Sequence, residues 1–287
     1  MNKIRLVTVT GSRTDTLEYM INHYWHIVDE LHIVVYDTNN NQYDNVKQIT
    51  DLYKSKIFLY KHEDDQEYNW ETVTALYNEI KSKHPDDWWI VSDDDEFHIY
   101  SKDIRELINN CDENGWEIVR GGFIDRIGEN GIFKKIKPFI SNESIFSQFP
   151  YAGFFRYPMS KACPNKICLI KGNIEITPGQ HYAKIDGHTT WRWQGWNHPL
   201  IAPINEYNVQ VHHFKWDSTS IDRIKAVADI KKDYAYSHEY LKMYQSLRSN
   251  GFQMDIENPL YKFEFCPTAN YENYKNWSVL LKEIISI

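Results

Sequence analysis

Trp88-Trp89-Ile90-Val91-Ser92-Asp93-Asp94-Asp95-Glu96-Phe97 sets four apolar residues against four consecutive carboxylates. The apolar run is short and follows Pro85-Asp86-Asp87, so it reads as a buried strand. That strand hands its acidic residues to the segment beyond it. Adjacent carboxylates repel one another, and a hard cation relieves the repulsion. Mg2+ and Mn2+ take oxygen ligands and keep positions open for phosphate oxygens. A cation bridging a diphosphate neutralises charge as it develops on a leaving group.

The pattern before this stretch supplies its setting. Ile4 to Thr10 reads as a buried strand closed by the turn Gly11-Ser12. Leu17, Met20, Ile21, Tyr24, Ile27 and Val28 then recur at helical spacing, with Asp15 and Glu18 as a capping box. His32 to Tyr36 is a second strand ending in Asp37, and residues 43–53 follow as a helix. Ile57 to Tyr60 is a third strand, and Trp70, Val73, Leu76, Tyr77 and Ile80 form another helical stripe. This alternation predicts an α/β fold: a Rossmann-like, mainly parallel sheet with helices on both faces. Ligands of such sheets bind beyond the carboxyl ends of the strands. That rule gathers Thr10 to Arg13, Asp37 and Ser92 to Phe97 on one rim.

Beyond the acidic stretch the alternation weakens. Residues 101–110 read as a capped helix. Residues 116–124 read as a strand, whose Gly121-Gly122 marks a bulge or a close backbone approach. Residues 125–215 are irregular apart from strands over 166–170 and 209–214. From Ser218 the chain reads as a helical segment until Asn250-Gly251 stops it.

Composition narrows the classes. The 287 residues carry a net charge of −8, which argues against general nucleic-acid binding. No apolar run is long enough to span a membrane. Met1-Asn2-Lys3-Ile4-Arg5 leads directly into a strand without the features of a signal peptide, and a cytoplasmic location is expected. Cys111, Cys163, Cys168 and Cys266 fit no zinc spacing and read as reduced thiols, mostly core. Aromatic residues make up 15% of the chain, including ten Trp, and indole faces suit sugar rings.

Strand-Asp-x-Asp-Glu-Phe resembles the Asp-x-Asp motif of GT-A glycosyltransferases, in the form seen in family 2-like enzymes. Further segments follow in the order of that family: Gly122-Phe123-Ile124-Asp125-Arg126-Ile127, Gln148-Phe149-Pro150, 165–172, Gly179-Gln180-His181 and Val211-His212-His213-Phe214-Lys215-Trp216. The similarity runs over roughly residues 4–250. One departure is Gln180, where the pattern leads us to expect a histidine.

The resemblance implies a GT-A domain over 1–287. Residues 1–115 would be its nucleotide-sugar-binding half, 116–216 its acceptor and catalytic half, and 217–287 a C-terminal helical segment. It implies a UDP- or GDP-sugar donor, a glycan or glycoconjugate acceptor, and Mn2+ or Mg2+. Thr10, Arg13, Asp37, Asp93, Asp94 and Lys215 are expected on the donor, and Asp93, Asp95 and His213 on the metal. Adjacent strand residues face opposite ways, so one of the pair is expected on the metal, and the resemblance of His213-Phe214-Lys215-Trp216 to the family pattern implies His213 rather than His212. Trp191, Trp193, Trp196 and His181 are expected at the acceptor. An inverting transfer needs a carboxylate base, for which Asp125 is the first candidate and Glu143 and Asp186 its rivals.

Two other functions fit parts of the pattern. A sugar-phosphate nucleotidyltransferase also pairs an α/β sheet with carboxylate-bound metal, although Thr10-Gly11-Ser12-Arg13 is a poor phosphate loop. A non-catalytic carbohydrate-binding protein with Ca2+ at Asp93 to Glu96 would use the Trp cluster alone.

Overall fold

The computed structural model describes residues 2–11, 13–37, 42–63, 69–190, 198–203, 206–207, 209–230 and 236–261. Its strands are β1 (Ile4–Thr10), β2 (Glu30–Asp37), β3 (Ile57–Glu63), β4 (Trp88–Val91), β5 (Glu96–Tyr100), β6 (Ile118–Ile127), β7 (Tyr151–Gly153), β8 (Asn165–Lys171), β9 (Glu175–Ile176), β10 (Ala183–Ile185), β11 (His188–Thr189) and β12 (Val209–Trp216). Its helices are α1 (Leu17–Tyr24), α2 (Gln42–Thr50), α3 (Trp70–Ser82), α4 (Ile104–Asn114), α5 (Ile145–Gln148), α6 (Arg156–Ser160), α7 (Ser220–Ile230) and α8 (Ser237–Ser249). The main sheet runs β3-β2-β1-β4-β8-β6-β12-β5, with β7 paired to β6.

The chain forms two compact units. The first is Met1–Gly122 with Asn165–Val211, and the second is Phe123–Pro164 with His212–Ile287. Strands β6 and β12 each pass from the first into the second.

In the first unit β3, β2, β1 and β4 are parallel, as the strand-helix alternation predicts. β8 then joins β4 antiparallel, and β6 joins β8 antiparallel. Successive strand residues point to opposite faces, and the two tryptophans of β4 use both. Trp89 lies in a core with Val7, Val9, Val34 and Tyr36 against Val73, Leu76, Tyr77 and Ile80 of α3. Trp88 bonds through Nε1 to Asp112 of α4 at 3.0 Å. Helices therefore cover both faces of this Rossmann-like α/β fold. Asn69 caps α3 by accepting from the Glu71 and Thr72 amides, and Asp103 caps α4 in the same way.

The structure corrects several local expectations. Helix α1 starts at Leu17 with Thr16 at its cap and no side-chain cap bond. Asp15 lies one residue too early for a capping box and faces Arg13 instead. The helix stops at Tyr24, whose carbonyl takes the amides of Ile27 and Val28. Glu96 and Phe97 begin strand β5 and are not part of a loop. The irregular region also holds β7 and an antiparallel β9-β10-β11 sheet, whose two- and three-residue strands are too short to show a period. Cys111, Cys163 and Cys168 are free thiols. No helix among the described residues is long and apolar enough to cross a membrane.

The second unit holds the distal parts of β6 and β12, β7, and α5 to α8. Trp216, Ile224, Met243, Leu247 and Met254 form its core with Ile127, Phe155 and Met159. Gly251, at φ +64°, follows α8 and ends it as expected.

Gly121 confirms the close approach expected of a strand glycine. A Cβ there would stand 2.3 Å from the Val209 carbonyl oxygen and 2.7 Å from Cys168 Sγ. The register of β6 on β8 also shifts between Val119 and Arg120, which is a bulge. Gly121→Ala is therefore expected to destabilise the protein by about 1–3 kcal/mol, the usual effect of overpacking a core. Urea titration of both proteins measures it, and an unchanged midpoint would contradict this packing.

Candidate functional site

The site in the first unit begins at a reversal of strand order. From β1 the chain winds outward through β2 to β3, then returns to place β4 on the other side of β1. In open α/β sheets ligands bind beyond the carboxyl ends of the strands at such a reversal, here the ends of β1 and β4. Thr10 ends β1 and Asp93 to Asp95 follow β4. Gly11 lets the chain turn closely against β2, since a Cβ would lie 2.6 Å from the Tyr36 carbonyl oxygen.

Each of the four carboxylates has its own partners. Thr10 donates through Oγ1 to Asp94 Oδ2 at 2.6 Å. Arg13 donates through Nη2 to Asp95 Oδ2 at 2.7 Å. Asp93 Oδ1 accepts from Tyr77 Oη at 2.8 Å and from Gln180 Nε2 at 3.1 Å. Lys166 Nζ lies 2.7 Å from Glu96 Oε1 and 3.5 Å from Asp93 Oδ2. Glu96 Oε2 accepts from the Asp93 amide, closing the turn. Tyr24 supports the same turn, donating to the Glu96 carbonyl and accepting from the His98 amide.

The electrostatics record the crowding. Burial, then the charge of Asp95, pushes the Asp94 carboxyl up to about 7 against Arg13 and Thr10. Burial pushes Glu96 up to about 8, with Lys166 opposing. Two cations stand against four carboxylates, so an excess of negative charge is held at a strand end. Asp94 and Asp95 offer hard oxygen donors at these strand ends, the chemistry Mg2+ and Mn2+ prefer. Asp93 uses both oxygens on protein donors, and Glu96 faces Lys166 at 1% exposure. Those two also hold the turn in place.

Asp37 ends β2, where its Oδ1 is buried without a hydrogen-bond partner among the described residues. Lys61 Nζ lies 3.8 Å from its other oxygen. A buried carboxylate oxygen left open in this way is unusual and suits a ligand group. His181 is partly buried and its Nδ1 pairs with the Asn165 carbonyl at 2.7 Å. Trp191, Trp193 and Trp196 lie outside the described residues.

The second unit places the remaining candidates. Asp125 on β6 is buried, and its Oδ2 accepts from the Phe155 and Arg156 amides at 2.9 and 3.0 Å. Its Oδ1 faces His213 Nδ1 at 3.4 Å. Burial works to raise this carboxyl, but the His213 hydrogen bond and charge, with Arg156, hold it below its ordinary range. A general base for neutral pH needs the opposite shift. His213 also packs on Phe123, with centroids 5.1 Å apart. His212 faces elsewhere, accepting from Arg126 Nε at 2.9 Å and meeting Phe146 edge-on. Lys215 is buried, with Nζ 3.2 Å from the Tyr240 hydroxyl. Of the rival bases, Glu143 pairs with Lys137. In the first unit, exposed Asp186 (φ +50°) and Gly187 (φ +75°) turn the chain between β10 and β11.

Tyr77, Lys166 and Gln180 were not singled out as site residues from sequence. Tyr77 sits on the apolar stripe of α3 and only its hydroxyl leaves the core. Lys166 lies in a strand with no acidic neighbour in sequence. Gln180 carries the one signal that was available, its departure from the expected histidine.

No family model matches this chain, and no curated protein matches it. Among solved structures, mannose-6-phosphate isomerase from Helicobacter pylori is 13% identical, with a TM-score of 0.34 over 60% of this chain and 71% of that one. A 4-diphosphocytidyl-2C-methyl-D-erythritol synthase is 13% identical, with a TM-score of 0.33 over 60% of this chain and 77% of that one. Likeness of this degree carries no conclusion about the activity of this chain.

The buried Lys166–Glu96 pair gives a direct test of the site's construction. Lys166→Met leaves two carboxylates without their cation and is expected to cost about 3–5 kcal/mol of stability. Adding Glu96→Gln should restore part of that loss, so the double variant is more stable than additivity predicts. Chemical denaturation of the wild type, both single variants and the double variant measures the coupling. A coupling of zero would mean the pair contributes no net attraction.

Proposed function

We propose that this protein is a divalent-metal-dependent glycosyltransferase that moves a sugar from a UDP- or GDP-sugar to a hydroxyl of a glycan or glycoconjugate. The observation that carries the reading is the meeting of Thr10, Arg13 and the Asp93 to Asp95 turn at the ends of β1 and β4. Two loops that are far apart in sequence bring oxygen donors and a guanidinium to the place where this sheet type binds ligands.

In this reading Asp95 and Asp94 hold Mn2+ or Mg2+, which would offset charge developing on the departing diphosphate. Arg13 pairs with Asp95 and offers further donors to phosphate oxygens, in the fork geometry that suits them. The open oxygen of Asp37 takes a donor group of the nucleoside. Asp93, tied to Tyr77, Gln180 and Lys166, fixes the turn on the donor side. His213 and Lys215 keep their assigned roles at the metal and the diphosphate through the resemblance of the His213-Phe214-Lys215-Trp216 segment. Asp125, held ionised beside His213, orients that imidazole and is not assigned as the base. His181 and the Trp191 to Trp196 segment are assigned to the acceptor on the same resemblance.

Calorimetric titration with nucleoside diphosphates, with and without Mn2+, tests the reading. Tight binding that requires Mn2+ is expected. Asp95→Asn should weaken it by about a hundredfold or more while thermal unfolding is unchanged. Glycan binding without nucleotide would favour a lectin-like protein instead. Pyrophosphate release from a nucleoside triphosphate and a sugar phosphate would favour a nucleotidyltransferase.

The two histidines should separate as well. His213→Ala is expected to raise the Mn2+ concentration needed for half-maximal nucleotide binding by about tenfold. His212→Ala loses its bond to Arg126 and should lower stability without moving the metal requirement. Manganese titrations followed by electron paramagnetic resonance distinguish them, and a shift with His212→Ala alone would reverse the assignment.

A further inference from the structure

Gln180 has an unusual combination of features. It is 3% exposed. It holds φ at +52°, and the preceding Gly179 holds +74°. Residues other than glycine persist in that region where their surroundings over-determine them, often at functional sites. Its backbone amide bonds to the Thr177 carbonyl at 2.9 Å. Its side-chain Nε2 bonds to Asp93 Oδ1 at 3.1 Å. Its Oε1 is buried and has no hydrogen-bond partner among the described residues.

The orientation of the amide follows from chemistry. An ionised carboxylate can only accept, so the NH2 end must face Asp93 and the oxygen must face away. Asp93 is fixed in turn by Tyr77 and Lys166. The amide oxygen is thus preorganised beside the acidic turn, and no described residue uses it. A buried acceptor left unpaired is disfavoured, and such groups call for a ligand or an ordered partner.

The same oxygen constrains what it can meet. It repels other acceptors, which excludes the oxygens of a diphosphate and a carbonyl. It attracts hydroxyl and N–H donors. In a nucleotide sugar the diphosphate is flanked by hydroxyls of the ribose and of the transferred sugar, and a contact to the ribose would be felt equally by the free nucleoside diphosphate.

We propose that Gln180 is a specificity-determining residue whose Oε1 accepts a hydrogen bond from a hydroxyl of the donor sugar. This rests on the nucleotide-sugar reading above. In place of the expected histidine, the glutamine presents a neutral acceptor two bonds from an anchored donor. The residue then selects among sugars by the position of one hydroxyl, while its Nε2 holds Asp93 for every donor alike.

The test uses the full-length protein with Mn2+ and five probes: UDP, GDP, UDP-glucose, UDP-N-acetylglucosamine and GDP-mannose. Gln180→Asn and Gln180→Gly both tolerate a positive φ, and neither can span to Asp93 and the sugar together. The wild type is expected to bind one nucleotide sugar more tightly than its parent nucleoside diphosphate. Both variants lose the bond to Asp93 and should weaken nucleoside diphosphate binding through the turn, and the loss toward that nucleotide sugar should exceed this by about tenfold. Equal losses toward both, no loss toward either, or variants that do not fold would overturn the inference. A wild type that binds nucleoside diphosphates but gains nothing from any of these sugars would overturn the inference alone. A wild type that binds no nucleotide would overturn the functional reading and the inference together.

Discussion

Four carboxylates in sequence cannot sit together at a strand end unless their repulsion is offset, and the first unit is organised around that constraint. Lys166 reaches Asp93 and Glu96 from β8, and Arg13 reaches Asp95 from the loop after β1. Neutral donors supply the rest: Thr10, Tyr77 and Gln180. Each comes from a different part of the chain, so the turn can form only once β1, α3, β4 and β8 are in place. The compensation is incomplete, with two cations for four acids. The remaining charge gathers on Asp94 and Asp95, where burial and mutual repulsion make a cation welcome.

The four acids consequently divide into two kinds. Asp93 and Glu96 share Lys166 and hold the turn, Glu96 buried and Asp93 with its side chain 37% exposed. Asp94 and Asp95 meet donors from the β1 loop, at the edge where the strand order reverses. One acidic run is thus divided by its partners, Lys166 serving Asp93 and Glu96 and the β1 loop serving Asp94 and Asp95. The second unit uses the same logic on a smaller scale. Asp125 takes two backbone amides on one oxygen and faces His213 with the other, and that environment stabilises its charge. A carboxylate so held is suited to orienting a neighbour and poorly suited to accepting a proton.

The fold was largely legible in the sequence because it is written in short-range periodicity. Leu17, Met20, Ile21 and Tyr24 mark α1, and the runs at 4–10, 32–36, 57–60 and 88–91 mark the parallel strands. Where elements are two or three residues long, as in β9, β10 and β11, no period exists to be read. Strand β5 was missed because Glu96 is charged, and a charged residue in a buried strand becomes intelligible only when Lys166 is seen beside it. The capping box at Asp15 failed by one residue, which sequence spacing does not resolve.

By itself the sequence determined the strand-helix alternation, the strand ends that carry Thr10, Arg13, Asp37 and the acidic turn, and a glycine pair at 121–122 that marks a bulge or a close approach. Each follows from chemistry carried by neighbouring residues. Tertiary structure decided the partners: Lys166 on Glu96, Gln180 and Tyr77 on Asp93, His213 on Asp125 rather than His212. Those pairings join residues tens of positions apart, and a side chain's role in them depends on which way its strand or helix turns it. Local sequence fixes which groups are available, and only the packed chain fixes which of them remain open to a ligand.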